Sequence, residues 1–136
     1  MEKKRILLVE DDASIAFLMK EHLSGLGSDY EIGAAASGEE ALRQFDQGRW
    51  DLVITDNIMR GITGLELIQA LQDRCPTVVT ILITGYGSDQ VLESAHQLNV
   101  FRYMNKPFPL ADLNRVIQDA FSPKPVKSLP GLAQET

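Results

Sequence analysis

The sequence predicts an α/β domain whose parallel sheet is covered by helices on both faces. Three observations carry this. Runs dense in Val, Ile and Leu recur at residues 6–9, 52–54 and 78–83, as expected for strands buried on both faces. Segments with apolar residues at steps of three and four occupy the intervals and the end of the pattern, which is helix spacing. The links between them are short, and alternating strands and helices imply right-handed crossovers onto one sheet.

Each element has its own local signal. The first strand is Ile6-Leu7-Leu8-Val9. The first helix carries Ile15, Leu18, Met19, His22 and Leu26 on one face, with Gly25 and Gly27 as stops. A weaker strand is expected over residues 30–35. Ser37 and Glu40 read as a capping box opening the second helix. The third strand covers residues 52–54. Thr63 and Glu66 form a second capping box, ahead of Leu67, Ile68 and Leu71. Residues 78–83 make the fourth strand. Ser88 is the expected cap of a helix bearing Val91, Leu92, Ala95 and Leu98. A weaker fifth strand is expected over 100–104. The last helix carries Leu110, Leu113, Val116, Ile117, Ala120 and Phe121. Residues 122–136 hold Pro123, Pro125 and Pro130 and no apolar period, so they read as a tail or the start of a linker after a domain at 1–121.

Composition narrows the function. A chain of 136 residues fits one domain with a sizeable core. Thirteen Lys and Arg against nineteen Asp and Glu give a net charge of −6, which weighs against direct nucleic-acid binding, because phosphate backbones need clustered cations. The single cysteine, Cys75, excludes an internal disulfide framework. The apolar runs are too short for a membrane span or a signal-peptide core. A cytoplasmic protein with no membrane partner is expected.

In a parallel sheet, ligands bind beyond the carboxyl ends of the strands. Glu10, Asp11 and Asp12 follow the first strand, Asp56 the third, Thr84 the fourth and Lys106 the fifth. Crowded carboxylates repel: at ~4 Å and an effective dielectric of ~20, a pair costs roughly 4 kcal/mol. A hard divalent cation such as Mg²⁺ would relieve this. The competing explanation is that the acidic run caps the first helix, a role that suits Asp12 best. A carboxylate placed like Asp56 can attack a phosphoryl donor and become an acyl phosphate. The Thr84 hydroxyl and Lys106 ammonium could hold phosphoryl oxygens. Taken singly, each is equally a turn residue or a solvated charge.

The segments Ile6 to Asp12 and Asp51 to Asp56, together with Gly64, Ile83-Thr84-Gly85 and Lys106-Pro107-Phe108, resemble the receiver (CheY-like) domain of two-component response regulators, from about Lys4 to Phe121. The resemblance implies a flavodoxin-like, doubly wound five-stranded sheet of order 2-1-3-4-5 with five helices. It implies that Asp56 is the phosphoacceptor, supplied by a histidine kinase or a histidine phosphotransfer protein of a phosphorelay. The implied cofactor is Mg²⁺ or Mn²⁺. Asp11 would be a direct ligand, Glu10 would act mainly through water, and Asp56 and the backbone carbonyl of Ile58 would complete the set. Thr84 and Lys106 match the family's switch hydroxyl and phosphate-binding lysine, and Tyr103 the aromatic that changes rotamer. The fourth helix, fifth strand and fifth helix would present the altered face to an output domain or downstream protein, as a monomer or a phosphorylation-dependent dimer. Such a domain is not a turnover enzyme; it only phosphorylates and dephosphorylates itself with the metal.

One departure stands out. Family members commonly have proline where this chain has Arg60, so the loop after Asp56 loses a fixed φ. Arg60 is either an exposed loop residue or a counter-ion of the acidic pocket. Rival classes fit less well. A haloacid-dehalogenase-type phosphatase needs a second acid where Ile58 stands, and a nucleotide-binding domain needs a Gly-rich loop where Glu10-Asp11-Asp12 stands. A receiver-like binding module that is never phosphorylated would not need the full set of acids, Thr84 and Lys106. His22, His96 and Trp50 read as structural, and Cys75, just before Pro76, as a loop thiol rather than a nucleophile.

Overall fold

The computed structural model describes residues 3–85 and 89–122. Its elements are β1 (Lys4–Val9), α1 (Ala13–Ser24), β2 (Tyr30–Ala35), α2 (Gly38–Gln47), β3 (Leu52–Asp56), α3 (Gly64–Arg74), β4 (Val79–Thr84), α4 (Asp89–Gln97), β5 (Arg102–Asn105) and α5 (Leu110–Ala120). All five strands are parallel and lie in the order β2-β1-β3-β4-β5, the flavodoxin-like order expected.

Strand alternation divides the core. Ile6, Leu8, Leu52, Ile54, Ile81 and Ile83 point to one face, where Met19 and Leu23 of α1 and Leu113 and Ile117 of α5 cover them. Leu7, Val9 and Val53 point to the other, against Ala41 of α2 and Leu67 and Leu71 of α3. Farther along that face, Leu82 packs with Ile68, Ala95 of α4 and Val100. Each fully buried Leu or Ile contributes roughly 1.5–3 kcal/mol relative to exposure. The sheet is therefore sandwiched, and its centre, β3, has no exposed residue.

Several boundaries and faces differ from expectation. Leu18 is 65% exposed and Leu110 41%. The sheet-facing stripe of α1 is Ile15, Met19 and Leu23, and Leu18, one position round the helix, is turned away from it. β5 begins two residues later than expected. Asp56 is the last residue of β3 rather than the first after it. The Thr63–Glu66 box is complete, with Glu66 N donating to Thr63 Oγ1 at 3.1 Å and Thr63 N to Glu66 Oε1 at 2.8 Å. The Ser37 box is half formed: Glu40 N donates to Ser37 Oγ, but Glu40 Oε1 accepts from Ala36 N instead of from Ser37. Gly25 ends α1 in a right-handed conformation, and Gly27, at φ +142°, makes the turn. The expected cap Ser88 and residues 123–136 fall outside the described residues.

Two of the residues read as structural, His22 and Trp50, have side-chain contacts that join elements. His22 Nε2 lies 2.8 Å from Asn114 Oδ1, joining α1 to α5. Trp50 donates from Nε1 to Gln44 O at 3.0 Å, and the Arg5 guanidinium covers its ring at 4.1 Å. His96 is exposed, and Cys75 ends α3 as a free thiol.

Candidate functional site

The strand order makes β1 and β3 central neighbours, with Val9 beside Thr55. Glu10, one residue past β1, and Asp56, at the end of β3, therefore share one edge. Asp56 pairs in register with Ile83, and Thr84 with Asn105. Lys106 follows directly and donates its N–H to Thr84 O at 2.8 Å. The carboxyl edge thus gathers Glu10, Asp11, Asp56, Thr84 and Lys106.

Glu10, Asp11 and Asp56 each offer an oxygen within 4.8 Å of the others. Glu10 and Asp56 are buried, at 4% and 7% exposure. Lys106 Nζ lies between them, 3.5 Å from Glu10 Oε1 and 3.4 Å from Asp56 Oδ2. Asp56 Oδ1 accepts from Asn57 N at 3.0 Å, and Glu10 Oε2 from Asp12 N at 3.1 Å. Asp12 itself caps α1, its Oδ1 accepting from Ser14 N and Ile15 N, so of the acidic run it alone is a helix cap.

Burial pushes the Glu10 carboxyl above its ordinary pKa; the Asp12 N–H works against this, the charge of Asp56 adds to the rise, and Lys106 opposes it. Burial likewise raises Asp56, with Lys106 and the Asn57 N–H opposing and Asp11 adding to the rise. Mutual repulsion contributes, but loss of water is the larger cause.

The donor set fits a hard divalent cation: all three groups are oxygen donors, and they converge without metal. The Ile58 side chain is a hydrocarbon with no donor atom and is 57% exposed, so a ligand from that residue would be its main-chain carbonyl. Thr84 is fully buried. Tyr103 is half-buried against the cluster of Ile68, Leu82, Ala95 and Val100, and burial pushes its phenol up.

Sequence reading missed Asn57. It is buried, and its N–H donates to Ile83 O at 2.8 Å. Its carbonyl accepts from Gly64 N at 2.9 Å and its Oδ1 from Leu65 N at 3.1 Å. It thereby joins β3, β4 and the first turn of α3. Its only signal in the sequence is a polar amide directly after a buried strand. Gly64 explains itself here: a Cβ would collide with the Asp56 carbonyl oxygen and come within 2.9 Å of Asn57 Cα. Arg60 proves to be both exposed and a counter-ion. Its side chain is 86% exposed, yet Nε lies 3.4 Å from Asp11 Oδ2, and its backbone N–H donates to the same oxygen at 3.0 Å.

An acidic trio beside one ammonium, at the carboxyl edge of a doubly wound sheet, defines a class of domain suited to metal-assisted phosphoryl chemistry. The response regulator receiver domain family matches residues 6–118, and the chain belongs to it. The transcriptional regulatory protein CrdR of Helicobacter pylori is 30% identical over 131 residues, 96% of this chain and 61% of CrdR. GlrR of Escherichia coli is 34% identical over 115 residues, 85% of this chain but 26% of GlrR. The chain therefore spans less than two thirds of these relatives. Among solved structures, the Thermotoga maritima response regulator TrrA, in complex with Mg²⁺–BeF, superposes with a TM-score of 0.75 at 36% identity, covering 87% of this chain and 99% of that one. A CheY-like receiver domain from Methanospirillum hungatei gives 0.81 at 29% identity, covering 86% and 92%. This chain is accordingly a receiver domain of two-component signalling.

Proposed function

We propose that Asp56 is the phosphoacceptor of this receiver and that Glu10, Asp11, Asp56 and the main-chain carbonyl of Ile58 hold a Mg²⁺ ion. The observation that carries this reading is the convergence of Glu10, Asp11 and Asp56 with Lys106 3.4 Å from the Asp56 carboxylate. An Asp56 oxygen bonds to phosphorus as the bond from phosphorus to the donor's imidazole nitrogen breaks, and the electron pair leaves with that nitrogen. The bound metal supplies neutralisation of charge on the transferred group. Lys106, already held against Asp56, pairs with a phosphoryl oxygen. The Asn57 N–H orients the acceptor carboxylate through Oδ1.

The buried Thr84 hydroxyl then turns to the phosphoryl group. Tyr103, packed beside Leu82 and Ala95, occupies the space released, and the α4-β5-α5 face changes. The donor is a histidine kinase or a histidine phosphotransfer protein, and the reader is an output domain or a downstream protein. The only chemistry assigned is self-phosphorylation and self-dephosphorylation. No described helix is long and apolar enough to cross a membrane, and the place assigned is the cytoplasm, where such donors present phosphohistidine.

Intact-mass measurement after incubation with acetyl phosphate tests the reading. The parent protein gains one phosphate only when Mg²⁺ is present, and Asp56→Asn gains none. Equal modification of Asp56→Asn would overturn the assignment.

A further inference from the structure

The contact between Arg60 and Asp11 is the part of the site that the phosphoacceptor reading leaves unused. Three atoms of Arg60 converge on one residue 49 positions away. The backbone N–H reaches Asp11 Oδ2 at 3.0 Å, Nε reaches the same oxygen at 3.4 Å, and a terminal guanidinium nitrogen reaches the Asp11 carbonyl at 3.5 Å. The first contact depends on residue identity, because a proline at this position has no N–H to give. One oxygen of a metal-directed carboxylate is thus already occupied twice, once by a fixed positive charge.

From this geometry we infer that Arg60 is an internal competitor for the cation at Asp11, a residue that sets the metal affinity of the pocket. The inference rests on the metal-site reading above and deepens it. In the metal-free protein, Arg60 neutralises Asp11 and ties the loop 57–63 to the turn after β1. A divalent cation meets a carboxylate whose charge is already compensated, so part of the binding energy is lost to displacing the guanidinium. The backbone N–H need not leave, since a carboxylate has two oxygens and this neutral donor does not repel a cation, whereas the guanidinium does. The guanidinium can swing out at little cost because it is 86% exposed. For the same reason the penalty is modest and screened: exposed ion pairs are worth about 0.2–1 kcal/mol, which is about 1.4- to 5-fold in a dissociation constant.

Calorimetric Mg²⁺ titration of the whole chain tests this without reference to phosphorylation. At low ionic strength, Arg60→Ala should bind Mg²⁺ about 1.4- to 5-fold more tightly than the parent, whereas Arg60→Lys, which keeps the charge, should lie closer to the parent. At ~0.5 M monovalent salt, where the Debye length is a few ångströms, the difference between Arg60→Ala and the parent should largely vanish. Unchanged or weaker binding by Arg60→Ala at low salt overturns the inference while leaving the metal site standing. A gain that persists at high salt also overturns it, since the effect would not be electrostatic. If the parent binds no Mg²⁺, or if Asp11→Asn binds it as well as the parent does, the metal-site reading itself fails and this inference fails with it.

Discussion

Glu10 and Asp56 hold their protons above the ordinary values of 4.5 and 3.8, and in both the first cause is burial. A raised carboxyl pKa means that the folded protein binds more protons than the unfolded chain. The stability these groups contribute is therefore fully present below the ordinary carboxylate range and is lost as pH rises through their folded values. Urea melts in metal-free buffer from about pH 4 to about pH 7 should show this decline, and Asp56→Asn should flatten it. An equally steep decline in Asp56→Asn would mean that other groups dominate. Gly64 supplies a second test at the same scale. Its missing side chain lets α3 approach the Asp56 carbonyl, so Gly64→Ala should cost about 1–3 kcal/mol, the range for overpacking, read as a lowered urea midpoint. Glu10, Asp11, Asp56 and Lys106 were legible in the sequence because each is a chemistry-bearing type placed at the end of a recognisable strand. The dominance of desolvation over repulsion was not legible, because it depends on how much chain closes over each carboxylate.

The helices show where periodicity stops being informative. Steps of three and four identify α1 as a helix, but they do not decide which residues at the margin of the apolar stripe face the sheet. Met19 and Leu23 do, and Phe17 and Leu18 do not. Leu23→Ala should therefore cost roughly 2–5 kcal/mol, while Leu18→Ser should stay within about 0.5 kcal/mol. Thermal melts of the two variants would decide it, and similar losses would refute the assigned face. Capping chemistry was more legible. Thr63 and Glu66 close both halves of their box, so Thr63→Ala should cost about 1 kcal/mol. The Ser37 box failed in its second half because Glu40 finds the Ala36 N–H first, a choice set by how the chain enters α2 and invisible in residue spacing.

At the scale of the molecule, alternating elements foretold a parallel sheet, but strand order came from family resemblance rather than from pattern. Nothing in the apolar runs says that β1 lies between β2 and β3, yet that order alone brings Glu10 and Asp11 to Asp56. The unfolded chain disperses these three acids, so Mg²⁺ that binds only the folded cluster should raise stability. At a hundred times its dissociation constant the gain is about 2.7 kcal/mol, seen as a shifted urea midpoint between EDTA and Mg²⁺. Asp11→Asn should abolish that shift, and a parent midpoint indifferent to Mg²⁺ would count against the shared site.

The contact of Gly64 with the Asp56 backbone also gives the domain a stiff side and a compliant side. Toward α3 there is no slack. Asn57 is tied to β4 and α3, Gly64 touches the Asp56 main chain, and four residues of α3 are buried. Toward α4, a helix of nine residues buries only Ala95. On the proposed reading, a displacement that starts at Asp56 should be absorbed where resistance is least, with α3 as the fulcrum and α4 as the lever arm. Unequal stiffness would then set the direction of the proposed response before any partner arrives. Amide exchange should change on phosphorylation in α4 and β5 while α3 keeps its protection.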